Sequence, residues 1–178
     1  MPQDPQPAPA PKLGKGMLYV AWLLALGLIT WGFSGWLDKA RNPNQHPVSV
    51  TSDAAREVRL LRNRYGHYHA SGRINGQTVE FMLDTGATAV AVPGRLASRL
   101  GLTRGPAMRI QTANGTATAY ATRLDSLQLG EIEMHDVKAH ISPSMDGDEV
   151  LLGMSVLKHL DFNQQGDTLT LRQRRPNQ

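Results

Sequence analysis

The 178-residue chain has no cysteine, which excludes disulfides, thiolate zinc sites, iron–sulfur clusters and cysteine nucleophiles together. It leaves the compartment open, because a cysteine-free chain folds under oxidising and reducing conditions alike. Aromatic residues are scarce at 6%, and the basic excess is small: 19 Lys and Arg against 15 Asp and Glu, a net charge of +4. The arginines are scattered along the chain rather than blocked. Nucleic-acid surfaces need clustered positive charge with interleaved aromatics, so no nucleic-acid partner is expected. The chain also lacks a glycine-rich phosphate loop with lysine and a dinucleotide fingerprint. Gly153-Met154-Ser155 lacks the second glycine of a nucleophile elbow, which argues against a serine hydrolase.

What is present falls into zones. Residues 1–16 carry Pro2, Pro5, Pro7, Pro9 and Pro11, a composition that cannot bury enough apolar surface to offset its ordering entropy, and are expected to be a disordered tail. Residues 17–37, MLYVAWLLALGLITWGFSGWL, hold no charge. As a helix rising about 1.5 Å per residue the run spans about 31 Å, a bilayer's hydrocarbon thickness. Tyr19, Trp22, Trp31 and Trp36 fall towards its ends, where amphipathic rings favour the headgroup level. A cleaved signal peptide competes, since Gly32-Phe33-Ser34 offers small residues. The apolar run exceeds the usual 7–15 residues and no Ala-x-Ala follows, which favours an uncleaved anchor in a lipid bilayer. A short tail before a large domain suggests that the tail stays in the cytoplasm and the domain crosses, as in a bacterial inner-membrane protein facing the periplasm. Residues 38–56, with Pro43 and Pro47, read as a linker, 57–174 as the working domain and 175–178 as a tail.

In the working domain the hydrophobic period is two, which predicts a mainly β fold. Val58 and Leu60 suggest a strand, with a turn at Tyr65-Gly66. Asn75-Gly76, between His67–Ile74 and Gln77–Leu83, is a hairpin signal, because both central residues must accept positive φ. Asn114-Gly115 predicts a second hairpin between strands 108–112 and 116–129. Short helices are expected at 95–100, ended by Gly101, and at 154–160, with further strands near 133–141 and 168–171.

The informative stretch is Phe81-Met82-Leu83-Asp84-Thr85-Gly86-Ala87-Thr88. An apolar strand ends in a carboxylate set against a core. Gly86 lets the backbone pass close enough for its N–H to donate to the acid, and the hydroxyls of Thr85 and Thr88 can brace the loop. Asp-Thr-Gly alone also reads as an ordinary turn. The context is more specific: this octet, a later Asn-Gly hairpin, and Val150-Leu151-Leu152-Gly153 before a helix occur in that order.

With these marks, and with Gly66-His67-Tyr68, Ile74-Asn75-Gly76, Thr112-Ala113-Asn114-Gly115 and Leu151-Leu152-Gly153-Met154 with Leu157, the sequence resembles the retropepsin-like aspartic proteases. It is most similar to their bacterial membrane-anchored branch with the Asp-Thr-Gly-Ala signature. The resemblance spans about 57–171. It implies a closed, half-pepsin β domain with Asp84 as catalytic acid and Thr85, Gly86, Ala87 and Thr88 as its supporting loop. It further implies a flap at Thr112, Ala113, Asn114, Gly115 and Thr116, and Leu152-Gly153 packed under the catalytic loop. Ala89, Val90 and Ile110 are subsite candidates from position. The motif occurs once, and hydrolysis by this route needs two carboxyls about 3 Å apart sharing one proton, so a homodimer acting on a peptide or protein substrate is expected. No cofactor or metal is needed.

Two other readings stay open: a non-catalytic, membrane-anchored peptide-binding module of the same fold, and a soluble secreted enzyme. Among metal candidates, His67 and His69 lie two apart on one strand face but lack further ligands at useful spacing, so they, like His135 and His140, read as solvated strand residues. Asp146-Gly147-Asp148-Glu149 reads as an acidic solvated loop rather than a calcium site.

Overall fold

The structure, a computed structural model, describes residues 14–112 and 115–174. The chain divides into two units, Met1–Leu37 and Asp38–Gln178. Helix α1 (Lys15–Arg41) begins in the first and ends in the second; its stretch 17–37 is uncharged, and Trp22, Leu23, Leu28 and Trp31 stand at least two-thirds exposed. Its hydroxyls bond to its own backbone: Thr30 Oγ1 donates to Leu26 O and Ser34 Oγ to Thr30 O, each at 2.8 Å. Among the described residues it is the one helix long and apolar enough to cross a membrane.

The second unit is mainly β, as expected. It holds β1 (Val48–Thr51), β2 (Ala55–Leu61), β3 (His69–Ile74), β4 (Gln77–Leu83), β5 (Val90–Pro93), β6 (Ala107–Thr112), β7 (Gly115–Leu129), β8 (Ile132–Ser142), β9 (Glu149–Leu152), α2 (Met154–Leu157), β10 (Asp161–Gln165) and β11 (Thr168–Arg174). A seven-stranded sheet, β3-β4-β9-β5-β8-β7-β6, closes on itself through β3 and β7. A four-stranded sheet runs β1-β2-β11-β10. Closure makes one core from both sheets: Val58 and Leu60 of β2, Leu171 of β11, and Ile74, Phe81, Leu124, Ile132 and Leu152 of the larger sheet are wholly buried. The Asn75-Gly76 hairpin forms with φ of 49° and 77°, the pair of left-handed residues its tight turn requires.

Three elements differ from expectation. Residues 95–100 form turns rather than a helix. Leu96, Ala97 and Leu100 are buried at helical spacing, but only Leu100 N–H reaches the carbonyl four residues back, Leu96 O. The segment begins at Gly94, where a Cβ would lie 2.9 Å from Pro143 Cα, and ends at Gly101 with φ 68°. β10, Asp-Phe-Asn-Gln-Gln, is exposed throughout and has no alternation to reveal it; pairing with β11 makes it a strand. Residues 38–56, read as a linker, contain the end of α1, β1 and a β-bridge from Asn44 to Ala70.

That segment is stitched in by buried asparagines. Asn44 Nδ2 donates to Leu61 O (2.9 Å) and His69 O (2.6 Å), and its Oδ1 accepts from Leu61 N–H (2.7 Å), so one side chain bridges β2 of one sheet to β3 of the other. Asn63 Nδ2 donates to Arg41 O at 2.9 Å, and Asn42 Nδ2 to Ser71 Oγ at 3.2 Å. Removing a buried side chain with three such bonds strands their partners. Asn44→Ala is expected to lower stability by about 2–3 kcal/mol, measured by urea unfolding of the full chain in detergent. A change below about 0.5 kcal/mol would mean that water replaces the amide at little cost.

Candidate active site

β4 carries Asp84 to its place. Val79 and Phe81 are buried and Leu83 packs against the core, so the strand is held to its last residue. Leu83 N–H donates to Tyr68 O at 3.0 Å and Asp84 N–H to Leu152 O at 3.2 Å, which fixes where the chain leaves the sheet. Asp84 is half-buried, and Thr85 and Gly86 are exposed. Gly86 N–H donates to Asp84 Oδ1 at 2.8 Å; a Cβ on residue 86 would stand 3.1 Å from the same oxygen. The glycine thus sets a backbone donor against the carboxylate at a distance that a side chain would crowd.

The loop is closed from below. Ala87 N–H returns to Asp84 O at 3.2 Å, Met154 N–H donates to Ala87 O at 2.8 Å, and Val90 N–H donates to Ser155 Oγ at 3.1 Å. Gly153 lies between these points. A Cβ there would be 2.4 Å from Ala89 O and 2.6 Å from Ala87 O, so the approach of β9 and α2 to the loop requires glycine. The hydroxyls of Thr85 and Thr88 make no hydrogen bond among the described residues, so the bracing is by backbone and by Ser155. Val90 is wholly buried, which removes it from the subsite candidates; Ala89 and Ile110 are half-buried.

Asp84 and Thr85 open onto a cavity of about 380 Å³, lined on its apolar side by Tyr68, Leu83, Leu157 and the exposed Phe162 of β10. A second concavity of about 450 Å³, around His135, Asp136, Lys158 and His159, is polar and does not have Asp84 in its lining. The first is the better candidate site, because an apolar hollow with one carboxylate at its wall matches a binding cleft. Of the residues expected in a flap, Thr112, Gly115 and Thr116 lie at the facing ends of β6 and β7, tied by Thr112 Oγ1 to Gly115 O (2.7 Å) and Thr116 Oγ1 to Gln111 Oε1 (3.1 Å). Ala113 and Asn114 lie outside the described residues.

One polar cluster departs from the sequence reading. His69 is buried rather than solvated, and its Nδ1 lies 3.0 Å from Glu80 Oε1 and 4.0 Å from Glu149 Oε1. Glu149 likewise leaves the solvated acidic loop to start β9. The hydrogen bond from His69 holds the Glu80 carboxyl below the usual carboxylate range, against the opposing effect of burial. The ligating atoms of His69, Glu80 and Glu149 all lie within 4.8 Å of one another, a set that a metal ion could use. The cationic position is taken by Arg41, whose guanidinium bonds Glu149 and stands 3.8 Å from Glu80. No spacing rule links positions 41, 69, 80 and 149. The signal that was available is the glutamate in the middle of the apolar β4. His140 of β8 is half-buried, and burial lowers its affinity for a proton.

A closed β domain with Asp-Thr-Gly at the end of a core strand, and a glycine-led helix under the loop, is the fold of the retropepsin-like aspartic proteases. Comparison agrees: residues 70–159 match the family described as "gag-polyprotein putative aspartyl protease", and the chain belongs to that family. The structure resembles the crystal structure of a retropepsin-like aspartic protease from Rickettsia conorii with a TM-score of 0.56 and 29% identity, over 72% of this chain and 94% of that one. An uncharacterised Sinorhizobium sp. protein encoded in the cobV 5′ region is 29% identical over 177 residues, 90% of this chain and 75% of its own. The uncharacterised protein RP867 of Rickettsia prowazekii is 31% identical over 105 residues, 57% of this chain and 45% of its own.

Proposed function

We propose that the protein is a membrane-anchored aspartic endopeptidase that works as a homodimer, with one Asp84 from each chain. The observation that carries the reading is Asp84 itself: a half-buried carboxylate at the mouth of an apolar cavity, with Gly86 N–H on its Oδ1. The two Asp84 carboxyls hold one proton and one water between them. The ionised carboxylate takes a proton from the water as its oxygen attacks the scissile carbonyl carbon. The protonated partner gives its proton to the carbonyl oxygen, forming a neutral gem-diol. Collapse of the gem-diol returns a proton to one carboxylate and sends another to the departing nitrogen, which leaves an acid, an amine and the starting pair. The Thr112–Thr116 hairpin serves as the flap that excludes bulk water, Thr85 braces the paired loops across the dimer axis, and Leu152-Gly153 supports each loop.

In this reading residues 17–37 anchor the chain in a bacterial inner membrane, with the 57–174 protease region on the periplasmic side. Tethering in a plane raises effective concentration and favours pairing. The test mixes chains: full-length protein in detergent with a peptide library, wild type titrated with excess Asp84→Asn chain. If each site needs both aspartates, activity per wild-type chain falls in proportion to the fraction of mixed dimers. Activity indifferent to the mixture would rule out the shared site.

A further inference from the structure

Glu80 and Glu149 are register partners across the parallel β4–β9 pair, so two carboxylates stand directly opposite each other. Like charges in that position drive strands apart. These two strands carry the site: Glu80 lies four residues before Asp84, and Glu149 four residues before Gly153. Between those ends the pairing continues through Phe81–Val150, Met82–Leu151 and Leu83–Leu152, and it finishes in the Asp84 N–H to Leu152 O bond. At about 3.3 Å per residue, the carboxylate pair is about 13 Å from the catalytic loop.

Arg41 resolves the repulsion. Its Nη2 bonds Glu149 Oε1, its Nε stands 3.8 Å from Glu80 Oε1, and His69 supplies the other hydrogen bond to Glu80 at 3.0 Å. The arginine's own position is fixed by its backbone oxygen, which accepts from Asn63 Nδ2, and by the buried Asn42 and Asn44 that follow. The guanidinium is half-exposed, so its contribution is the matching of charge at two acceptors rather than burial.

We propose that Arg41 is a positioning residue for the Asp84 site: it holds β4 and β9 in register, and through them sets Asp84 against the Gly153 support. The proposal rests on the protease reading for its effect on rate, but not for its effect on stability. It also places the working boundary of the protease unit before Arg41, at the end of the apolar helix, rather than after the expected linker.

The test uses the full chain in detergent with four proteins: wild type, Arg41→Met, Arg41→Lys, and Arg41→Met with Glu149→Gln. Methionine keeps much of the stem and removes the charge. For Arg41→Met the expected result is kcat reduced about tenfold, with KM within about twofold because the cavity is untouched. Its thermal midpoint falls by about 4 °C. Arg41→Lys recovers part of the rate, since one ammonium reaches one carboxylate at a time. The double variant, which removes the repelled charge along with the cation, returns kcat to within about threefold of wild type. Arg41→Met with unchanged kcat overturns the proposal, as does a double variant no better than the single one, whether the defect is in rate or in folding. If the wild type itself shows no Asp84-dependent cleavage, the protease reading fails separately. The thermal midpoints then decide on the clamp alone: a drop restored by Glu149→Gln sustains it, and no drop overturns it.

Discussion

If the protein is the proposed protease, Asp84→Asn is expected to leave a folded chain that cleaves peptides at least about a thousandfold more slowly than wild type. Asparagine has the same shape, and its side-chain oxygen still accepts from Gly86 N–H, the contact that holds the carboxylate at 2.8 Å. The bonds that carry the loop, Asp84 N–H to Leu152 O and Met154 N–H to Ala87 O, are backbone bonds and do not change. An amide can neither accept the water's proton nor hold one for the carbonyl oxygen, so the loss falls on chemistry rather than on folding. The thermal midpoint should move by no more than about 2 °C. The measurement is peptide-library cleavage read by mass spectrometry, with thermal unfolding of the same samples. A peptide-binding module without catalysis would keep its binding in the variant and show no Asp84-dependent cleavage in the wild type. Equal cleavage by both proteins would remove Asp84 from the reaction.

Gly153→Ala carries the largest expected loss of stability. The added methyl would sit 2.4 Å from Ala89 O and 2.6 Å from Ala87 O, both backbone atoms that no rotamer change can withdraw. Either the 84–90 loop or the β9–α2 junction must move, and the bond between Met154 N–H and Ala87 O goes with it. Overpacking against rigid neighbours costs about 3 kcal/mol or more, a fall of about 10 °C in thermal midpoint for a domain of this size. The surviving folded fraction should cleave poorly, because the displaced loop is the one that carries Asp84. Gly66→Ala is the matched control: nothing lies within 4 Å of its added Cβ, so it isolates the modest strain of a left-handed backbone. Equal destabilisation by the two substitutions would show that the close approach at Gly153 relaxes easily.

The features read directly from the chain are those whose cause is local. Asn75-Gly76 makes its hairpin because two adjacent residues accept positive φ, and the Asn75 amide then ties the turn to Leu100 O and Ser126 N–H. Asp84 follows directly on β4 because the apolar run stops at Leu83 and turn residues come next. The uncharged run 17–37 marks the apolar stretch of α1, while the helix itself continues through charged residues from Lys15 to Arg41. Where local pattern and packing compete, the pattern misleads. Leu96, Ala97 and Leu100 have the spacing of a helix face and are buried as one, yet only one bond to a carbonyl four residues back forms, Leu100 N–H to Leu96 O, and the segment remains a run of turns. β10 shows the converse, a strand without a strand's pattern, because backbone pairing with β11 needs no particular side chain.

The candidate site divides the same way. The carboxylate, its glycine and the later Leu152-Gly153 were legible as motifs, because their chemistry is written in consecutive residues. Why Gly153 must be glycine was not legible, since the carbonyls that exclude a side chain come from a loop more than sixty residues earlier. The cluster of Arg41, His69, Glu80 and Glu149 was not legible either: its members span 108 positions, and each alone looks like a surface charge or a strand histidine. Local sequence therefore determined the turns, the acid and the apolar span, which depend on torsion preferences and hydrophobic runs. Closure of the β domain determined the support beneath the acid and the charge balance behind it, because steric exclusion and Coulomb attraction act between atoms that only folding brings within a few ångströms.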